Sequence, residues 1–299
     1  MNNKVFFKQY LLCITLAVIA TLSIYIINKN STSLFTFIVL LVYMPSPLYA
    51  TIIFDKGYIK SQLIQIKSIS LKEYALMFFT TIFLFWMLVF SNYFVFYILK
   101  YFIPNEVIGL VSFDNESIYK NILNLLPSEI SLPNPEFKSN NGVSLFFVLL
   151  IIASFIGAFI NSVFAFTEEI GWRGSFMKNL KLKSNVFKQI VLGAFWGIWH
   201  SPLIIAFGYN YPDLTPIYGI LLMIIFCISL HLLFITINYN TVIKSSIFHG
   251  CINASPIIYL LFHSNYHNAF SLVCGVIPIS SIFIIYLIYK KIIAWKTIR

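Results

Sequence analysis

SLFFVLLIIASFIGAFINSVFAFTEEIGWR, residues 144–173, decides the class of this chain. Residues 144–167 carry no charge, and about 20 apolar residues suffice for a helix to cross the hydrocarbon of a bilayer. The run ends in two adjacent carboxylates, Glu168 and Glu169, with Arg173 four residues after the second. The whole chain has ten acidic residues, and two of them stand here. An ionisable group at membrane depth is expensive, so it needs a partner, a wet cavity or a chemical role. Two further polar constellations interrupt apolar runs downstream: WGIWHSP, with His200, and FHGCINASP, with His249 and Asn253.

Composition agrees with the opening stretch. The 299 residues are 59% hydrophobic and 10% charged, against about 45–50% and about 25% in soluble domains. A soluble core cannot absorb that much apolar sequence, so the expected class is an all-α, polytopic membrane protein. Cys13, Cys227, Cys251 and Cys274 sit in apolar runs without metal-like spacing. They read as buried small hydrophobes, not as a disulfide framework. The net charge of +10 does not mark a nucleic-acid partner, because the lysines flank the apolar runs.

Eight runs have the length of a span: roughly 9–27, 33–54, 74–103, 144–167, 189–208, 217–238, 242–262 and 269–289. The first lacks a clear small-residue cleavage site and reads as a membrane helix, not a signal peptide. With eight spans, Lys4, Lys8, Lys56, Lys60, Lys67, Lys72, Lys178, Lys181, Lys183, Lys188, Lys244 and the lysine-rich tail all fall on one side. Lys29, Lys100, Lys120, Lys138, Asp213 and the five acids between Glu106 and Glu136 fall on the other. The lysine bias makes that first side cytoplasmic, both termini included. Segment 104–143, with four prolines, reads as an outward loop with a short surface helix near Ile118–Leu126. The expectation is one membrane-embedded domain over 1–299, with its motif-bearing core at about 144–262. The excess of Ile, Lys and Asn points to a bacterial cell membrane.

On a helix, Glu169 and Arg173 share a face in the favourable acid-first order. Glu168 is rotated about 100° away. One carboxylate can be neutralised while the other faces elsewhere, which suits a base beside a fixed neighbour; the plain alternative is a helix-end ion pair. His200 precedes Pro202, and a proline-bent helix can open a cavity at depth; the alternative is a histidine bonding between helices. His249 and Asn253 share a face one turn apart. They offer donors to an oxyanion, or a metal ligand with an orienting group, or simply polar contacts between helices. His231 has no polar neighbour at helical spacing and reads as structural. His263 and His267 read as solvated turn residues. Depths agree: Glu168 lies near the cytoplasmic end of its run, with His200 and His249 about 18 and 10 Å into theirs at the rise of a helix.

EEIGWR (Glu168, Glu169, Arg173), WGIWH (Trp196, His200) and HGCIN (His249, Asn253), in this order on separate helices, resemble the CAAX protease and bacteriocin-processing family. These intramembrane endopeptidases are related to the type II CAAX prenyl endopeptidase. Where this chain has Trp196 the family commonly has Phe. The resemblance covers residues 168–253 and implies a peptidase. In it Glu168 and His200 activate a water, Arg173 holds Glu169, and His249 with Asn253 stabilises the oxyanion. One divalent metal such as zinc is a possible cofactor, although the sequence has no HExxH. The implied partners are the lipid bilayer and a peptide or membrane-protein substrate. Some relatives are non-catalytic scaffolds or bacteriocin-immunity proteins. A proton-coupled transporter is a third class, against which stands the lack of repeated halves.

Overall fold

The computed structural model describes residues 3–28, 32–103, 110–125, 142–212, 214–236 and 241–263, with a few positions between 277 and 289. Everything regular in it is helical; the one β-type contact among the described residues is an isolated bridge between Val111 and His263. Helix α1 is Lys4–Asn28. Helix α2, Thr32–Ile38, continues through a π-helical turn, Val39–Tyr43, towards α3, Ser46–Phe54. Helix α4 is Lys56–Ser68, α5 is Leu71–Leu99 and α6 is Asn115–Leu125. The motif helix starts as α7, Gly142–Phe155, and passes through a π-helical turn, Ile156–Asn161. It resumes as α8, Ser162–Glu169, then a second π-helical stretch, Ile170–Ser175, then α9, Phe176–Asn179. Last come α10 (Asn185–Trp199), α11 (Ser201–Phe207), α12 (Pro216–Thr236), α13 (Val242–Ala254) and α14 (Pro256–Leu261).

Among the described residues, six helical segments are long and apolar enough to cross a membrane: Lys4–Ile27, Ser33–Phe54, Leu71–Leu99, Gly142–Asn179, Asn185–Phe207 and Pro216–Thr236. The chain is an all-α integral membrane protein, and these six coincide with the first six runs read from sequence. The seventh run is realised as two helices, α13 and α14, meeting at Ser255 with Pro256 at the start of the second. The eighth run falls mostly outside the described residues. Large exposed apolar side chains cover the outer faces, among them Ile26, Phe79, Phe83, Val163 and Ile205. That is the surface a bilayer requires and water forbids.

Local chemistry sets the helix ends. At the start of α5, the Ser70 hydroxyl accepts from the Glu73 amide at 3.3 Å and the Ser70 amide donates to the Glu73 carboxylate at 2.8 Å. This reciprocal cap satisfies two of the helix's first free donors. The fifth span breaks at His200: α10 ends at Trp199 and α11 begins with Pro202 in its first turn. Proline tolerates that position because it has no amide to leave unpaired. Gly208, at φ +63°, closes α11 in the left-handed conformation that glycine adopts without strain.

Glycines set how closely the motif helices approach. A methyl group on Gly157 would strike the backbone of Cys251, and one on Gly250 the backbone of Gly157 and Ser162. Gly193 and Gly197 meet the backbone of Ile228 and Ile224 in the same way. Small residues at such crossings let membrane helices pack backbone to backbone. They seat α13 against Ile156–Asn161 and α8, and α10 against α12.

The sequence reading needs one correction. His263 is not solvated but buried, and its backbone carbonyl accepts from Asn121 of α6 at 3.0 Å. Helix α6 packs on the end of α14 through Ile118 and Asn121, so it is more than a surface helix. His267 and Asp213 lie outside the described residues. Cys13, Cys227 and Cys251 are buried and form no disulfide among the described residues, as expected of small hydrophobes; Cys274 lies outside the described residues.

Candidate active site

Glu168 and Glu169 close α8, and both are buried. Their division of labour follows from the helix. Arg173 Nη1 donates to Glu169 Oε1 at 2.6 Å, even though the turn between them is π-helical. The guanidinium lies between two rings, 4.3 Å from the centroid of Trp196 and 4.4 Å from that of Phe234. A planar cation stacked on aromatic faces keeps its charge tolerable in a dry site. Glu168 points the other way. Trp196 Nε1 donates to its Oε2 at 3.2 Å, and the residue lines a cavity of about 390 Å³.

Three helices bring the other candidates to that cavity. His200, at the break between α10 and α11, and His249 and Asn253, on α13, line it together with Glu168 and Trp196. Glu169 and Arg173 do not; they stand behind the wall. The rest of the lining is largely apolar, with Phe35, Leu40, Met44, Met223 and Phe226, plus the polar Asn161, Tyr209 and Asn210. The three π-helical stretches among the described residues meet this region: Val39 and Tyr43 from the first and Asn161 from the second line the cavity, and Arg173 from the third stands just behind it. Such bulges re-aim side chains and recur at functional sites.

Hydrogen bonds dictate the state of both imidazoles. His200 Nδ1 lies 2.9 Å from the carbonyl oxygen of Trp196, which can only accept. The proton is therefore on Nδ1, and Nε2 of a neutral ring carries the lone pair. His249 Nδ1 lies 2.8 Å from Glu169 Oε1, the same oxygen that accepts from Arg173. Again Nδ1 donates and Nε2 is left for the cavity. A carboxylate behind an imidazole fixes its tautomer and ring plane. Sequence spacing shows the Glu169–Arg173 pair but not this second duty of Glu169, because His249 is 80 residues away. The indole donor of Trp196 was missed for the same reason; its place in the WGIWH motif was the available signal. The end of α10 is held by Tyr43, whose hydroxyl donates to the Trp199 carbonyl at 2.5 Å, and by Trp199 Nε1 donating to Ser46 at 3.0 Å.

His231 is buried on α12 and bonds Gln189 of α10 through Nδ1 at 2.9 Å, the structural place its sequence context indicated. A catalytic zinc takes three protein ligands, and among the described residues no three His, Cys, Asp or Glu side chains come together to hold one.

Residues 142–255 match the family described as type II CAAX prenyl endopeptidase, Rce1-like. A stretch of 67 residues is 37% identical to CAAX prenyl protease 2 of Methanococcus maripaludis, covering 22% of this chain and 20% of that protein. The chain thus matches about a fifth of the length of that curated relative. All three motifs, from Glu168 to Asn253, lie inside residues 142–255, the part of the chain that is similar to the Rce1-like, type II CAAX prenyl endopeptidase family.

Proposed function

We propose that the protein is a membrane-embedded endopeptidase that hydrolyses a peptide bond in a membrane-associated protein or peptide. One observation carries this reading. Glu168, His200, His249 and Asn253, from three helices, line one cavity, while the charge pair Glu169–Arg173 is held out of it. A base and hydrogen-bonding side chains around a partly apolar cleft suit hydrolysis of a substrate that arrives with apolar surface.

In this mechanism Glu168 takes a proton from water as the water oxygen attacks the peptide carbonyl carbon. His200, with Nδ1 tied to a backbone carbonyl, offers Nε2 as a second acceptor for that proton. The carbonyl oxygen gains charge beside His249 and Asn253. Asn253 donates through its carboxamide. His249 donates from Nε2 only when its ring is doubly protonated, with Nδ1 bonded to Glu169. The tetrahedral carbon then expels the amine, which takes the proton from Glu168. Donors fixed before the reaction act where charge develops, which is the effective form of electrostatic catalysis.

The test uses purified protein in liposomes and a quenched fluorescent, farnesylated CAAX peptide, chosen because the matched relative is a CAAX prenyl protease. Alongside it, new protein N-termini are compared in membranes containing wild type or Glu168→Gln. Wild-type cleavage absent from Glu168→Gln supports the reading. No wild-type-dependent cleavage in either experiment rejects it. Activity unchanged by a strong chelator, with metal-free protein by elemental analysis, is expected; silencing by the chelator would return a metal to the mechanism.

A further inference from the structure

We infer that Trp196 is a positioning residue for Glu168, acting through its indole N–H and not merely through the bulk of its ring. The inference rests on Glu168 being the base. Among the described residues the indole is the hydrogen-bond donor to that carboxylate, from Nε1 to Oε2 at 3.2 Å. Oε2 is thereby committed, and the other oxygen is left for the cavity. A carboxylate on a flexible stem has two terminal torsions to lose before a lone pair can be aimed at a water. A donor on one oxygen removes that freedom before substrate arrives.

The indole is itself held from every side. Trp196 is buried. Arg173 lies over its face. His249 and His231 meet it nearly perpendicular, with ring centroids at 5.3 and 5.7 Å. His231 in turn is fixed by Gln189, two turns before Trp196 on the same helix. The backbone carbonyl of Trp196 accepts from His200 Nδ1. One residue therefore orients Glu168 with its side chain and His200 with its main chain. A substitution that deletes the N–H touches the first and spares the second. A ring that merely walled the cavity would need no donor aimed at the carboxylate.

Two replacements separate the donor from the ring: Trp196→Phe, and 3-benzothienylalanine at position 196, which keeps the bicyclic shape but has sulfur in place of N–H. Turnover of the farnesylated CAAX peptide in liposomes is measured with wild type and Glu168→Gln in parallel. For the sulfur analogue kcat falls about tenfold or more, as loss of a hydrogen bond to a charged group implies, with KM within about twofold and the thermal midpoint unchanged. A raised KM at constant kcat makes the ring a substrate wall and overturns the inference; unchanged kinetics overturn it equally. A second readout does not depend on the variants folding like wild type. The indole ¹⁵N–¹H signal of Trp196, assigned by its disappearance in Trp196→Phe, shifts in Glu168→Ala if the bond exists and stays in place if it does not. Failure of the parent reading looks different. There, wild type cleaves nothing or Glu168→Gln is as active as wild type, and the inference falls with it.

Discussion

At the scale of single residues the site is two carboxylates with opposite surroundings. Glu168 meets one neutral N–H and a cavity; Glu169 meets a guanidinium and an imidazole. Glu168→Gln keeps the shape and removes the base, so cleavage falls by at least about 10²-fold, the lower end for loss of general-base catalysis, while protein level holds. Arg173→Ala behaves differently. It leaves Glu169, which is fully buried, without its cation, and breaking a buried pair costs about 3–5 kcal/mol. Folded yield in detergent and activity therefore fall together, which size-exclusion chromatography and the peptide assay measure side by side. Asn253→Ala removes one donor to the developing oxyanion, so kcat drops about 10²–10³-fold with KM within a few-fold. A raised KM at unchanged kcat would reassign Asn253 to substrate binding.

At the scale of elements, the crossing of α13 over Ile156–Asn161 delivers His249 to Glu169. It depends on Gly157 and Gly250 having no side chain. Gly250→Val forces the helices apart and separates His249 from Glu169, so the variant loses activity and folded yield. Gly57, in the exposed α4, has open space around it. Gly57→Ala is the matched control and leaves both unchanged. A second junction ties the ends of three elements together. Asp55, between α3 and α4, accepts from Ser175 at 2.8 Å, Lys178 at 3.1 Å and Asn179 at 3.0 Å, and Ser175 also accepts from Gln9 of α1 at 2.7 Å. Partial burial pushes the Asp55 carboxyl up, but these donors outweigh it and hold the carboxyl below its ordinary value. A carboxyl with a folded-state pKa below its unfolded one stabilises above the unfolded value, about 3.9. That contribution is lost as pH falls through the folded value. The thermal midpoint of wild type therefore drops towards that of Asp55→Asn as pH is lowered below about 4. The gap at pH 7 is small, because Lys178 is half exposed and such pairs contribute about 0–1 kcal/mol.

At the scale of the whole molecule, orientation follows from the lysines. The proposal is that both termini and α4 are cytoplasmic and that α6 is on the outer side. The 29-residue α5 lies between α4 and α6 along the chain. Lys60 sits on exposed α4, and Lys120 on α6 is paired with solvent-exposed Glu116 at 2.8 Å. In a cysteine-free background, Lys120→Cys reacts with an impermeant maleimide in intact cells, and Lys60→Cys reacts only after permeabilisation. The reverse pattern would invert the topology and place the cavity's Glu168 end on the outer side.

Much of this molecule is legible in its sequence alone. Six spans, the Glu169–Arg173 pair, the break at His200–Pro202 and the His249–Asn253 face all arise within one helix. There the residues concerned stand within a turn or two of each other, and hydropathy, helical period and proline chemistry act locally. Contact between helices is not legible in that way. Glu169 serving His249, Trp196 serving Glu168 and His263 closing onto Asn121 join residues 28 to 142 positions apart. Those distances are closed by rotation and depth of whole helices. The rotations depend on two close crossings built on four glycines and, among the described residues, on three π-helical stretches that shift the helical phase. The amino-acid sequence determined which chemistry each residue can perform; the tertiary structure decided which carboxylate faces the cavity, because only packing sets what lies on the other side of a helix.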